Sequence, residues 1–228
     1  MQTLKFLGAT EAELAAAGLG NGENLEIVQN GLDFAVSTMN FGENDNSLPS
    51  TEKLKAVFGN RFYSACGKTL PEAVFEKLKG TSVRLATAES LTGGMVAAEM
   101  VSVPGVSEFF FEGVVAYDNL AKEQRLFVKH DTLKKFGAVS RETAEEMALG
   151  LIKSGDTLAV STTGIAGPSG GSKEKPVGTV WFGLADDKGV LHSEKRVFEG
   201  DRTKIRIAAT QFALHVLYRY LCGEFRSK

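Results

Sequence analysis

The sequence predicts a layered α/β protein in which a mixed, mostly parallel sheet is flanked by helices and preceded by a small α+β domain. Three observations carry this expectation. From residue 69 onward, strand-like runs interleave with helical runs, the pattern of a sheet covered by helices. The last three strand-like runs have no helix between them, so part of that sheet is antiparallel. Ahead of residue 66 the elements are shorter and too few to enclose a deep cleft. Domain boundaries are therefore expected at 1–66 and 67–228.

In the first segment, "TLKFL" (3–7) reads as a strand. Thr10 and Glu13 form a capping box, S/T-x-x-E, that opens a short helix through Ala17. Residues 25–28 and 32–39 read as strands, the second alternating Leu32, Phe34, Val36 and Thr38 on one face. "FGENDNSLPS" breaks the pattern, and residues 50–58 form a helix with Leu54, Val57 and Phe58 at helical spacing. This β-α-β-β-α unit lacks any His, Cys or acid constellation and is assigned packing or recognition. The larger segment reads as helix 69–79, strand 82–88, helix 92–102, strand 109–117, helices 119–127 and 131–136, and helix 140–154. Strands 157–163, 177–185 and 190–198 and a helix over 201–222 complete it.

The totals narrow the classes. A length of 228 residues allows one domain and a small companion, and 43% apolar with 24% charged residues predicts a packed soluble core. Lys+Arg 26 against Asp+Glu 28 leaves a net charge of -2, without the basic excess that nucleic-acid backbones demand, so no nucleic-acid partner is expected. Cys66 and Cys222 stand apart from one another and from the histidines, which suggests neither a zinc site nor a disulfide framework. Reduced thiols suit a cytoplasmic location. The N-terminus is unlike a secretory signal, and no stretch has 18 unbroken apolar residues, so no membrane role is expected.

Three stretches carry chemistry. In "LATAESLTGG" (85–94), Glu89, Ser90, Thr92, Gly93 and Gly94 sit where a strand feeds a helix, the place where open α/β sheets hold ligands. Ser90 reads either as the helix N-cap or as a nucleophile, and two glycines in a first turn favour close access to the backbone. In "VVAYDNLAK", Tyr117, Asn119 and Lys122 straddle the next strand end. A neutral lysine can take a serine's proton, although bringing its pKa from ~10.4 to near 7 costs about 4–5 kcal/mol, which burial can supply. Alone, Tyr117 also fits as a packing residue and Lys122 as a solvated one.

The third stretch, "TTGIAGPSGGSKEKPVGTVW" (162–181), offers Thr163, Gly164, Gly167, Gly170 and Lys175 in a glycine-rich loop. It matches neither a Walker loop nor a dinucleotide fingerprint, and reads as a flexible connection or as a wall around a phosphorylated ligand. "FEGDRTKIR" adds Asp201 as an N-cap, with Arg202 and Arg206 four apart on a helix face that by default is solvated. Arg202 joins the candidate substrate contacts. No G-x-S-x-G elbow accompanies the three histidines, so a histidine base is not expected.

"TAESLTGG", "GVVAYDNLAK", "GAVSRETAEEM", "TGIAGPSGGSKEKPVGTVWFGLA" and "FEGDRTKIR" follow the order and spacing of the CinA C-terminal domain, the nicotinamide mononucleotide deamidase family, which residues 69–222 resemble. "LKFLGATEAELAAAG" and "FGNRFYSACGKTLPEAV" resemble the small domain that precedes it in CinA proteins. The chain looks like such a protein without its N-terminal molybdopterin-binding-like domain, which implies that the associated pyrophosphatase activity is absent. The resemblance implies hydrolysis of nicotinamide mononucleotide to nicotinate mononucleotide and ammonia, with Ser90 as nucleophile and Tyr117 and Lys122 activating it. It calls for no metal or redox cofactor. Amides around Thr92 to Gly94 are the expected oxyanion donors. Leu91 stands where the family commonly has cysteine, a packing change. The other function considered is a non-catalytic, nucleotide-binding regulatory protein of the competence or damage-inducible type. The expected partners are a small-molecule nucleotide and further copies of the chain, as a homodimer or higher homo-oligomer, with "EFFFEG" (108–113) fitting either an interface or a buried strand.

Overall fold

A computed structural model describes residues 2–19, 25–38, 49–153 and 155–225. The chain divides into two compact units, Met1–Ala73 and Val74–Lys228.

In the first unit the strands are β1 (Thr3–Leu7), β2 (Leu25–Asn30), β3 (Asp33–Thr38) and β4 (Phe62–Ser64), all paired antiparallel in the order β2-β3-β1-β4. Helices α1 (Glu11–Ala16) and α2 (Thr51–Phe58) complete it. The capping box that opens α1 forms in full, with Thr10 and Glu13 bonding each other's backbone amides. Leu4 and Phe6 are buried from β1, and the Phe6 ring lies 4.6 Å from Phe58 and 5.2 Å from Phe62. β4 is the element that the sequence reading lacks: three residues, all buried, are too few to display an alternation. The break read at "FGENDNSLPS" lies, up to residue 48, outside the described residues.

The division between the units falls within α3 (Leu70–Leu78), opened by a second reciprocal cap between Thr69 and Glu72. The second unit continues with β5 (Arg84–Glu89), α4 (Met95–Val101), β6 (Phe110–Val115), α5 (Asn119–Leu126), α6 (His130–Phe136) and α7 (Arg141–Leu149). After these come β7 (Thr157–Gly164), β8 (Thr179–Asp186), β9 (Gly189–Val197) and α8 (Arg202–Leu221). The sheet order is β6-β5-β7-β8-β9. β5 pairs parallel with β6 and β7, while β8 pairs antiparallel with β7 and β9. Mixed is therefore the right description: β8 alone runs against the other four strands, yet it accounts for both antiparallel pairings.

Strand parity sorts the helices onto opposite faces. Phe182 packs its ring 4.8 Å from Phe212 of α8, whereas the next residue, Gly183, faces Ala144 of α7. A Cβ on Gly183 would lie 2.5 Å from the Ala144 carbonyl oxygen, so glycine is what lets α7 approach. The small residues Ala86, Ala88, Ala159 and Ala185 share one core with Leu126 of α5 and Met147 of α7. On the other face of β5, a Cβ on Gly113 would meet Thr87 and Ala97 of α4.

Candidate active site

At the carboxyl end of β5, parity separates two polar neighbours. Glu89 turns to the α4 face, and Ser90 continues the Ala86–Ala88 side, which packs against α5. Glu89 is 1% exposed, and its carboxylate accepts from the amides of Gly94 (2.9 Å), Val96 (3.1 Å) and Ala97 (2.8 Å). The cap of this helix is thus the acid one residue before the serine, reaching back from the strand. One reading is corrected. Ser90 does not cap α4, whose N-cap residue is Gly94, and the helix begins at Met95 because the preceding residues form a turn. The carboxylate of Glu89, expected at the substrate, is engaged by the amides at the head of α4.

That turn explains the glycine pair. Met95 donates to the Thr92 carbonyl (3.3 Å), with Gly93 at φ +63° and Gly94 at φ +93° between them. Positive φ at both central positions is the signature of a type I′ turn, which glycine fills without strain. The turn is pinned on both sides: Ser90 donates its amide to Thr162 of β7 (2.9 Å), and Ala116 donates to the Glu89 carbonyl (2.9 Å).

Lys122 stands on the first turn of α5, whose N-cap Asp118 accepts from Leu120 at 2.8 Å. Helical side chains lean toward the N-terminus. Its amine therefore reaches back to the carbonyls of Ala116 (2.9 Å) and Tyr117 (3.0 Å) and comes within 3.1 Å of Ser90 Oγ. Lys122 is 1% exposed and Ser90 8%. Burial lowers the lysine pKa from its ordinary value, against a smaller upward pull from the Asp118 charge. Two N–H groups on two carbonyls leave a neutral amine's lone pair for the Ser90 hydroxyl proton.

The other candidates are brought together unevenly. Tyr117 is 62% exposed; its phenol accepts from Arg202 (2.9 Å), and it is the Tyr117 carbonyl that touches Lys122. Arg202 also donates to the Gly167 carbonyl (2.9 Å), joining the glycine-rich loop to Tyr117. Gly164 closes β7 against the Thr179 backbone, and Gly170 lies exposed in the loop. The hydroxyls of Thr92 and Thr163 are engaged elsewhere, by Thr162 (2.7 Å) and by the Ala138 carbonyl (2.7 Å). Asn119 is exposed and bonds none of the other candidate side chains among the described residues. Lys175 donates to the Phe136 carbonyl (2.8 Å) and lines a cleft of about 350 Å³ with Trp181 and Arg141, apart from Ser90 and Lys122. Of the expected oxyanion amides, Gly93 donates to the Ser90 carbonyl (3.2 Å) and Gly94 to Glu89, so both are taken.

Sequence reasoning passed over Arg206 as solvated. It donates from Nε to the Leu91 carbonyl and from Nη2 to the Thr92 carbonyl, each at 2.9 Å. Its spacing from Arg202 was the available signal. No group of three or more His, Cys, Asp or Glu side chains able to hold a metal occurs among the described residues, and no helix there is long and apolar enough to cross a membrane.

Fold and site together define a mixed-sheet α/β protein with a buried serine–lysine pair at the carboxyl edge of its parallel strands. The family model of the CinA C-terminal domain matches residues 67–221, and the chain belongs to the CinA family. A "CinA-like protein" of Kosmotoga olearia is 48% identical over 174 residues, covering 76% of this chain and 42% of the relative. One of Petrotoga mobilis is 39% identical over 221 residues, covering 92% of this chain and 52% of the relative. The chain thus spans about half the length of the curated relatives it matches. Among solved structures, the competence/damage inducible protein CihA from Agrobacterium tumefaciens superposes with a TM-score of 0.62 at 43% identity, over 65% of this chain and 91% of its own. A CinA superfamily protein of Klebsiella pneumoniae gives a TM-score of 0.64 at 34% identity, over 68% and 96%.

Proposed function

We propose that the protein is a nicotinamide-nucleotide amidohydrolase that converts nicotinamide mononucleotide and water to nicotinate mononucleotide and ammonia. The observation that carries this reading is the 3.1 Å approach of the buried Lys122 amine to Ser90 Oγ, the separation expected of a nucleophile and its base. Ser90 Oγ bonds to the carboxamide carbon while its proton passes to Lys122 Nζ and the carbonyl π pair moves to oxygen. Collapse breaks the C–N bond, and the departing nitrogen takes the proton held on Lys122, relayed through the Tyr117 phenol, and leaves as ammonia with Lys122 again neutral. Water then attacks the acyl ester, Lys122 takes its proton, and as the acyl C–Oγ bond breaks Lys122 passes that proton to Ser90 Oγ, which restores both residues. Tyr117 serves twice: its carbonyl holds the amine, and its phenol, accepting from Arg202, keeps its own proton to donate toward the leaving nitrogen.

A second reading, a nucleotide-binding regulatory protein without turnover, draws on the same distances. Three acceptors around Nζ also saturate an ammonium, which would make Lys122 a structural post. One experiment separates the two. Purified protein is mixed with nicotinamide mononucleotide and ammonia is measured, for the parent and for Ser90→Ala and Lys122→Ala. The enzyme reading expects turnover lost in both variants, by at least ~10³-fold, with nucleotide binding retained. Binding without turnover in the parent overturns it in favour of the module.

A further inference from the structure

We propose that the free edge of β6 is a docking surface for a second copy of this chain, which pairs with it antiparallel about a two-fold axis at Gly113. This stands apart from the amidohydrolase reading. The larger sheet has two edges, β6 and β9, and the sequence treats them differently. β9 carries Glu194, Lys195 and Arg196 in succession, the kind of charge with which natural sheets discourage edge pairing. β6 reads FFEGVV, and its single charge, Glu112, is met by Lys153 at 3.3 Å. Phe111 and Val115 are exposed on it. Gly113 is exposed as well, although its side-chain space is filled: a Cβ there would lie 2.9 Å from Ala97 and 3.0 Å from Thr87. What solvent reaches at Gly113 is therefore the backbone edge itself.

Backbone direction fixes how this edge can pair. Ala116 donates to the Glu89 carbonyl, and β6 matches β5 as Glu112 to Ala86 and Val114 to Ala88, so these alternate residues of β6 direct their N–H and C=O groups at β5. Those of Phe111, Gly113 and Val115 point the other way and meet no strand among the described residues. Opposed residues of an antiparallel pair share a face, so a two-fold pairing must set odd-numbered residues against odd-numbered ones. With Gly113 of one copy opposite Gly113 of the other, Phe111 of each faces Val115 of its partner, and Glu112 faces Val114. The outward backbone groups then bond in matched pairs, and exposed apolar side chains cover one another on both sides of the axis. The neighbouring register, centred on Glu112, sets two acids directly opposite one another and is repulsive. The edge is thus complementary to itself in one register, which favours a second copy over an unlike strand.

The test measures mass by sedimentation equilibrium of the purified chain over a dilution series. The parent should sediment as a dimer that dissociates on dilution. Combining Phe111→Glu with Val115→Glu sets glutamates against each other at both ends of the paired strands and should raise the dissociation constant by at least ~10²-fold. Combining Phe111→Glu with Val115→Lys sets each glutamate against a lysine of the other copy and should restore association. Arg84, whose guanidinium carbon lies 4.1 Å from the centre of the Phe111 ring, meets the glutamate in both variants and so supports their folding. If either variant does not fold, hydrogen exchange on the parent decides: the amides of Phe111, Gly113 and Val115 should be protected in the concentrated sample and exchange freely on dilution. A parent that is monomeric at every concentration overturns the proposal, as does an assembly that the paired glutamates leave intact or in which those three amides stay unprotected. A monomeric parent whose three amides become protected only when cell extract is added would give the edge to an unlike partner, which overturns the proposal too. None of these readouts depends on release of ammonia.

Discussion

Lys122 occupies a position where its helix calls for an apolar residue. It lies four residues before Leu126 on the buried face of α5, and both are enclosed. The residue itself was legible through its place in "VVAYDNLAK", while its register with a core leucine is a signal that the sequence reading left unused. What the sequence hid was the partnership across the chain, because the Tyr117 carbonyl rather than its phenol holds the amine, and backbone groups carry no residue signature. The pKa shift has a direct consequence for pH. Burial lowers the folded-state value below that of an unfolded lysine, so between the two values the unfolded chain binds more protons, and stability rises with pH across that window. In the proposed mechanism rate moves the same way, because there the free base accepts the serine proton. kcat/KM for nicotinamide mononucleotide should therefore fall on the acid side along a one-proton limb lying below the ordinary lysine value of ~10.4. A limb at or above that value would remove Lys122 as the base, and Lys122→Arg, which holds its charge throughout, should show neither turnover nor limb.

At the scale of elements, the alternation of strands and helices could be read to within a few residues, because hydrophobic period is written locally. The departures have local causes too. α4 starts three residues later than its periodicity suggests because the type I′ turn takes the glycine pair, and α7 stops at Leu149, where Gly150 packs against the Leu126 carbonyl. The capping of α4 could not be read, since the acid responsible precedes the turn and acts from the strand. Its importance can be measured. Replacing Glu89 by alanine strips three amides of a charged acceptor and should cost about 3 kcal/mol in urea unfolding, with Glu89→Gln costing less because its amide oxygen still accepts. An alanine variant as stable as the parent would mean that α4 is held by its packing on β5, β6 and α8 rather than by the acid.

For the whole molecule, the decisive feature is that the core of the first unit and the core between the larger sheet and α5 and α7 have no residue in common among the described residues. One gathers buried side chains from Leu4 to Phe62, and the other gathers Ala86 through Ala185. Every side chain assigned to the proposed chemistry, from Ser90 to Arg202, belongs to the second unit. The solved relatives point the same way, since superposition on 65% of this chain already accounts for 91% of the Agrobacterium protein. Chains of about the size of the second unit therefore hold this fold unaided. A fragment of residues 67–228, which keeps the Thr69–Glu72 cap and all of α3, should unfold in one cooperative transition and retain the kcat/KM of the full chain for nicotinamide mononucleotide. Calorimetry and the ammonia assay on the fragment check both halves of that expectation. A fragment that melts without cooperativity would show that the first unit is needed for folding, and one that melts cooperatively but has lost turnover would assign residues 1–66 a part in the chemistry.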